Sequence, residues 1–138
     1  MEFNNIDNFN PRSCLSGQMN RVNRHIANTF RKYLKPFDIT DSQLTILFVL
    51  SKRQNINQKT LSDITVLEKS TLNRNLKRLF DKHYISRDKF PILELTLEGK
   101  TFVNAIIPEW EKAMQDIRKQ LGEDGEHALQ ELHNKLIT

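Results

Sequence analysis

Cysteine is nearly missing from this chain. Cys14 is the only one in 138 residues, so no disulfide can form within the chain, and the single thiol fits a reducing cytosol. Glycine is almost as scarce. Four glycines supply neither a GxGxxG nor a Walker-type pattern, which excludes the phosphate-cradling loops of nucleotide enzymes. No stretch approaches the ~20 apolar residues of a membrane helix. The opening MEFNNIDNFN is polar and has no signal-peptide core. Both point to a cytoplasmic protein with no membrane partner. His25, His83, His127 and His133 make no HxxxH or CxxC pattern, and His127 and His133 do not share a helical face. Nothing calls for a metal or any other cofactor. No Ser/His/Asp set or close carboxylate pair stands out either, so nothing argues for an enzyme.

What is present is a chain long enough to bury about two-thirds of its unfolded surface, and so to fold as one domain with helical extensions. Its net charge of +4 is unevenly spread. Residues 51–100 carry 11 basic and 6 acidic side chains, whereas residues 101–138 carry 4 and 7. A basic middle beside an acidic end suggests that the middle meets a polyanion.

Apolar spacing supplies the architecture. Leu15, Met19, Val22, Ile26, Phe30, Tyr33, Leu34 and Phe37 recur in helical steps, predicting one long amphipathic helix that ends near Pro36. TDSQLTILFVL opens with a capping box, Thr40 with Gln43, and turns Leu44, Leu47 and Leu50 inward. NINQKTLSDIT predicts a short helix capped by Asn57, with Leu61 and Ile64 on its inner face. The next segment, KSTLNRNLKRLFDKHYISR, is the most charged. At about 100° per residue, Leu72, Leu76 and Leu79 form one face, and Ser70, Arg74, Lys77, Arg78 and Asp81 form the other. His83 falls on the apolar side of that helix and is expected to pack. The short helix, turn and second helix have helix-turn-helix spacing, in which the second helix enters the major groove.

YISRDKFPILELTLEGK then reads as a short strand from Tyr84 to Arg87, a tip over Asp88 to Pro91, and a strand with Leu93, Leu95 and Leu97 alternating. A ribbon after a helix-turn-helix makes a winged helix. Phe102, Val103, Ile106, Ile107, Trp110, Met114, Ile117 and Leu121 restore helical spacing, with a kink expected at Pro108 and a stop at Gly122. A last helix carries Leu129, Leu132 and Leu136. A terminal helix hairpin has few partners within one small domain, which favours a dimer interface. The expected fold is mainly α with a small β-wing: a winged helix-turn-helix domain flanked by N- and C-terminal dimerisation helices. The expected spans are a dimerisation helix over 1–37, the DNA-binding domain over 38–100 and dimerisation helices over 101–138.

The order of ITDSQLTILFVL, QKTLSDIT, STLNR and LTLEGK resembles the MarR family of dimeric winged-helix transcription regulators over about residues 15 to 121. The resemblance implies a homodimer on a palindromic double-stranded DNA operator, acting as a repressor. Ser70, Thr71 and Arg74 match the family's base-reading and backbone-contacting positions, with Asn73 flanking them. Gln58, Lys59 and Thr60 match the phosphate-contacting start of the preceding helix. Lys69, Lys77 and Arg78 complete the basic face. The family's longer wing, with its Asp-x-Arg motif, is absent. Only DKFPI separates Arg87 from Leu93, leaving Arg87 and Lys89 as substitute phosphate contacts and implying recognition that depends more on the helix. The resemblance also implies a small aromatic or anionic effector in a crevice beside the dimer helices, drawing on Tyr33, Phe37, Phe48 and Trp110.

Two other readings compete. The short wing suits a winged-helix protein-interaction module that binds little DNA. Cys14, at the expected start of the first long helix, resembles the cysteine of the family's peroxide-sensing branch, which implies a redox-responsive regulator. That branch also aims tyrosines at the thiol, whereas Tyr33 here lies about five turns along the helix.

Overall fold

The computed structural model describes residues 1–137. A short exposed helix, α1 (Asn4–Asn8), and a 3-10 turn at Pro11–Ser13 precede the first long helix, α2 (Leu15–Leu34). Pro36 lacks the N–H that would extend α2, so the chain tightens into a 3-10 turn at Lys35–Phe37 and reverses at Asp38 in a left-handed conformation (φ 50). The capping box then forms as expected: the Thr40 hydroxyl accepts from the Gln43 N–H at 3.2 Å, and the Gln43 side chain accepts from the Thr40 N–H. It opens α3 (Asp41–Lys52), whose Leu44, Leu47 and Leu50 are buried. Asn57 caps α4 (Gln58–Thr65), accepting from the Thr60 N–H at 2.8 Å. A left-handed Val66 (φ 56) turns the chain into α5 (Lys69–Asp81).

The wing is shorter than expected. β1 (Ile85–Ser86) and β2 (Glu94–Leu95) pair antiparallel, Ile85 with Leu95 and Ser86 with Glu94. An isolated bridge from Ile56 to Leu93 adds a third line that the sequence pattern does not announce. Leu97 is not a strand residue. Thr96 caps the last helix, α6 (Leu97–Leu136), through the Gly99 N–H at 2.9 Å, and leaves Leu97 80% exposed in the first turn. His83 is not packed in a helix either. It follows the end of α5 in a left-handed turn (φ 63) and is exposed, because its backbone N–H bonds back to the Phe80 carbonyl and closes the helix one step earlier. Along α6 the dihedrals stay helical across Pro108. The break falls at Gly122 (φ 66, ψ −180), which divides the last apolar stretch from the rest.

The main core gathers Leu47, Leu61, Leu72, Leu79, Ile85 and Leu95 from α3, α4, α5, β1 and β2. A second cluster of Leu34, Leu44 and Ile106 joins α2, α3 and α6, with Phe30, Phe48 and Trp110 packed around it. One close approach holds wing and α6 together. Gly99 lies against the Tyr84 carbonyl, where an added Cβ would overlap the backbone oxygen and carbon. Gly99→Ala is therefore expected to destabilise the fold by about 1–3 kcal/mol, as overpacking does; urea unfolding followed by circular dichroism measures it.

Candidate nucleic-acid interface

The side of α5 turned away from the core is built from its sequence. Leu72, Asn75, Leu76 and Leu79 are buried, which leaves Lys69, Ser70, Asn73, Arg74, Lys77 and Arg78 exposed and Thr71 half-buried beside them. Unlike α3 and α4, α5 has no side-chain cap: its N-cap, Glu68, makes no such bond. The first-turn N–H groups are thus free for an anion, and the helix dipole favours one there.

The start of α4 lies against this face. Gln58 donates its side-chain amide hydrogen bond to the Asn73 carbonyl oxygen, joining the two helices of the motif. Lys59 is exposed, while the Thr60 backbone is engaged by the Asn57 cap. Gln58, Asn73, Lys77, Phe80, Arg87 and Phe90 share a cleft of about 470 Å3 between α5 and the wing. Arg87 stacks its guanidinium over the Phe80 ring at 3.7 Å. Lys89 is exposed and paired with Glu94 at 3.4 Å. The wing's two cations are thus each engaged locally, one by a ring and one by a carboxylate.

Behind α5 a buried polar contact fixes its roll. Gln43, already half of the capping box, donates from its side-chain amide to the Asn75 carbonyl oxygen at 3.4 Å, and both residues are buried. The capping-box pattern marked Gln43 as a cap only. Its second partner, 32 positions away, had no local signal.

The four candidate effector residues separate. Phe48 and Trp110 meet edge to face at 5.4 Å and line a crevice of about 220 Å3 together with Ile26, Phe30 and Leu44. Phe37 packs instead on Phe102 at 6.0 Å. Tyr33 donates to Asp116 at 3.0 Å. Hydrogen bonds from Gln120 and Tyr33 hold the Asp116 carboxyl below the usual range, and the bond to Asp116, with partial burial, raises the Tyr33 phenol. Gln120 also meets His25 at 2.6 Å, so a polar chain crosses from α2 to α6. Cys14 is exposed at the N-cap of α2, its Sγ accepting from the Gly17 N–H at 3.4 Å.

A helix-turn-helix with a paired ribbon behind it and a basic outer face defines a winged-helix fold. Residues 39–91 match the model of the MarR family. That family is one of transcription regulators rather than enzymes. Over 66 residues the chain is 32% identical to the HTH-type transcriptional regulator SarZ of Staphylococcus saprophyticus, a stretch covering 48% of this chain and 45% of that protein. The match thus spans under half of that relative.

Likeness to solved structures extends further and defines the fold of the rest. BpsR of Bordetella bronchiseptica, in a structure on regulation of its DNA binding by 6-hydroxynicotinic acid, has a TM-score of 0.80 at 18% identity, covering 93% of this chain and 97% of that one. A mutant MarR from E. coli complexed with operator DNA has a TM-score of 0.79 at 22% identity, covering 90% and 94%. Among the described residues no helix is long and apolar enough to cross a membrane.

The buried amide pair is testable. Gln43→Leu removes half of a capping box and leaves the Asn75 carbonyl buried without its donor. A loss of about 1–3 kcal/mol in thermal or urea unfolding is expected. Gln43→Asn should lose nearly as much, because the shortened side chain holds its amide one methylene short of Asn75.

Proposed function

We propose that the protein is a cytoplasmic, homodimeric, sequence-specific DNA-binding regulator, acting as a ligand-responsive repressor at a palindromic operator. The observation that carries this reading is the outer face of α5: Ser70, Asn73, Arg74, Lys77 and Arg78 all exposed, opposite an inner face of three leucines and Asn75, within the stretch that matches the MarR family model. Ser70, Thr71, Asn73 and Arg74 would read bases from the first turns of the helix. Lys69, Lys77, Arg78, Gln58, Lys59, Thr60, Arg87 and Lys89 would hold the backbone and displace its counterions.

Dimerisation is supported by the apolar side chains left uncovered at both ends. Leu15, Met19 and Val22 of α2 and Leu129, Leu132 and Leu136 of the last stretch are exposed at helical spacing. On this reading residues 1–37 and 101–138 form the dimer and residues 38–100 the DNA-binding domain; position 138 lies outside the described residues. The Phe48–Trp110 crevice would accept a small planar aromatic or anionic effector at the junction of α2, α3 and α6. BpsR, of the same fold, supports this by the aromatic acid named with it.

Fluorescence anisotropy on a pool of promoter-region duplexes tests the DNA reading. Wild-type affinity should fall steeply between about 50 and 200 mM salt, and Arg74→Ala should lose at least about tenfold in affinity, or about 1.4 kcal/mol. Salt-insensitive binding indifferent to Arg74 would favour instead a protein-interaction module, the reading that the locally engaged wing cations support. For the dimer, Leu132→Glu combined with Leu136→Glu should convert the species seen by sedimentation velocity from dimer to monomer while the winged helix stays folded.

A further inference from the structure

We propose that the groove behind the wing is a second polyanion site, gripping the phosphate backbone of the duplex beyond the half-site that α5 faces. The inference rests on the DNA-binding reading above and extends it to a surface with no assigned role. The groove, of about 740 Å3, lies between the end of α3, the loop over residues 53–57, β2 and the first turns of α6. Lys52, Arg53, Lys89 and Lys100 line it, against Glu94 as its one carboxylate. Glu94 is already engaged by Lys89 at 3.4 Å. Lys52, Arg53 and Lys100 are exposed and enter no ion pair among the described residues, so their charge is uncompensated.

A second cavity of similar size shows what a different balance looks like. Between α2, α3 and α5, a space of about 690 Å3 is lined by Arg31, Lys35, Arg78 and Lys82 but also by Asp38, Asp41 and Asp81. Lys82 meets Asp38 there at 3.8 Å. Three carboxylates among four cations nearly cancel, and such a lining has little to offer a polyanion. The groove behind the wing does not cancel.

Its position favours nucleic acid over an acidic protein surface. The Ile56–Leu93 bridge ties the groove's loop to the wing. Asn57, the next residue, caps α4, whose first turn holds Gln58, Lys59 and Thr60. Arg87 and Phe90 of the hairpin line the cleft on the α5 side, while Lys89 lines the groove on the other. A cationic path thus leads from α5 across the hairpin to Lys52, Arg53 and Lys100. A duplex is a continuous rod with one charge per ~1.7 Å of its axis. Its backbone, unlike a compact ligand, continues past the half-site toward the flank where these charges sit.

The test combines Lys52→Gln, Arg53→Gln and Lys100→Gln, which removes three exposed charges and keeps most of each stem, with a thermal melt to check folding. Anisotropy is measured over the same salt range on two duplexes: one trimmed to the palindrome and one extended by about one helical turn, ~10 bp, on each side. On the extended duplex the triple variant should bind at least about tenfold more weakly at low salt, with a log–log salt slope shallower by about 2 or more. On the trimmed duplex it should match wild type. Equal losses on both duplexes, or none on either, would overturn the inference; the second result would leave the groove to an acidic protein. Arg74→Ala runs alongside. If it weakens binding and the triple variant does not, only the groove is lost. If wild type shows no salt-dependent binding and Arg74→Ala is silent, the DNA-binding reading fails with it.

Discussion

The packing of α5 onto α3 and α4 decides what every charge on the outer surface can do. Leu72, Leu76 and Leu79 are buried together with Leu47 and Leu61, and each such side chain contributes about 1.5–3 kcal/mol on burial. Hydrophobic contact alone tolerates some sliding. The Gln43–Asn75 hydrogen bond does not, because a small roll of α5 would leave the Gln43 side-chain N–H and the Asn75 side-chain oxygen buried without each other. Rolling α5 by one residue, about 100°, would also carry a cation such as Arg74 toward the core, at a cost of several kcal/mol. The leucines, the amide pair and the cations all select one orientation. That agreement is what allows a short helix to present a fixed set of side chains.

Thr96 plays a comparable part where the wing meets α6. Its backbone N–H donates to the Tyr84 carbonyl at 3.0 Å, its hydroxyl donates to the His83 carbonyl at 2.6 Å, and the same oxygen accepts from the Gly99 N–H. One residue thus closes the hairpin, anchors the turn after α5 and starts the long helix. From there α6 runs past α3 and along α2, where Tyr33–Asp116 and His25–Gln120 cross between the helices. A load applied at the Phe48–Trp110 crevice would act on α2, α3 and α6 at once. Of these, α3 carries Gln43 and so couples directly to α5.

Much of this was legible in the sequence because it is local. The capping box at Thr40, the Asn57 cap, the three-leucine face of α5 and the break at Gly122 each depend on residues within one or two helical turns. The missed features are those whose partners lie far along the chain. Ile56 has no local strand signal, because its bridge to Leu93 spans 37 positions. Leu97 continued an alternating strand pattern, and only the Thr96 cap with the Gly99 approach to Tyr84 shows why the helix wins there. His83 was placed by extending the helical wheel past the end of its helix, since nothing in DKHY announces a left-handed turn. Of the candidate aromatics, Phe48 and Trp110 came together, but Tyr33 and Phe37 sit on the same stretch of chain and face other partners.

The short wing bears on how recognition would be divided. An exposed pair such as Lys89–Glu94 is worth about 0–1 kcal/mol, so a phosphate could compete for that lysine at little cost. Arg87 differs. Its stack on Phe80 fixes the guanidinium plane yet leaves the N–H edge able to donate, which suits a backbone oxygen better than a probe reaching into a groove. Neither side chain is then positioned to discriminate between base pairs. On the proposed reading the wing adds affinity, and discrimination rests on the first turns of α5. There Gln58 holds the side-chain oxygen of the exposed Asn73, which leaves the Asn73 amide N–H groups as the donors it has to offer. Arg74, one residue on, is left without a protein partner among the described contacts. A fixed amide beside a free guanidinium is a donor-rich pair, and donors are what the guanine O6 and N7 acceptors of a major groove accept.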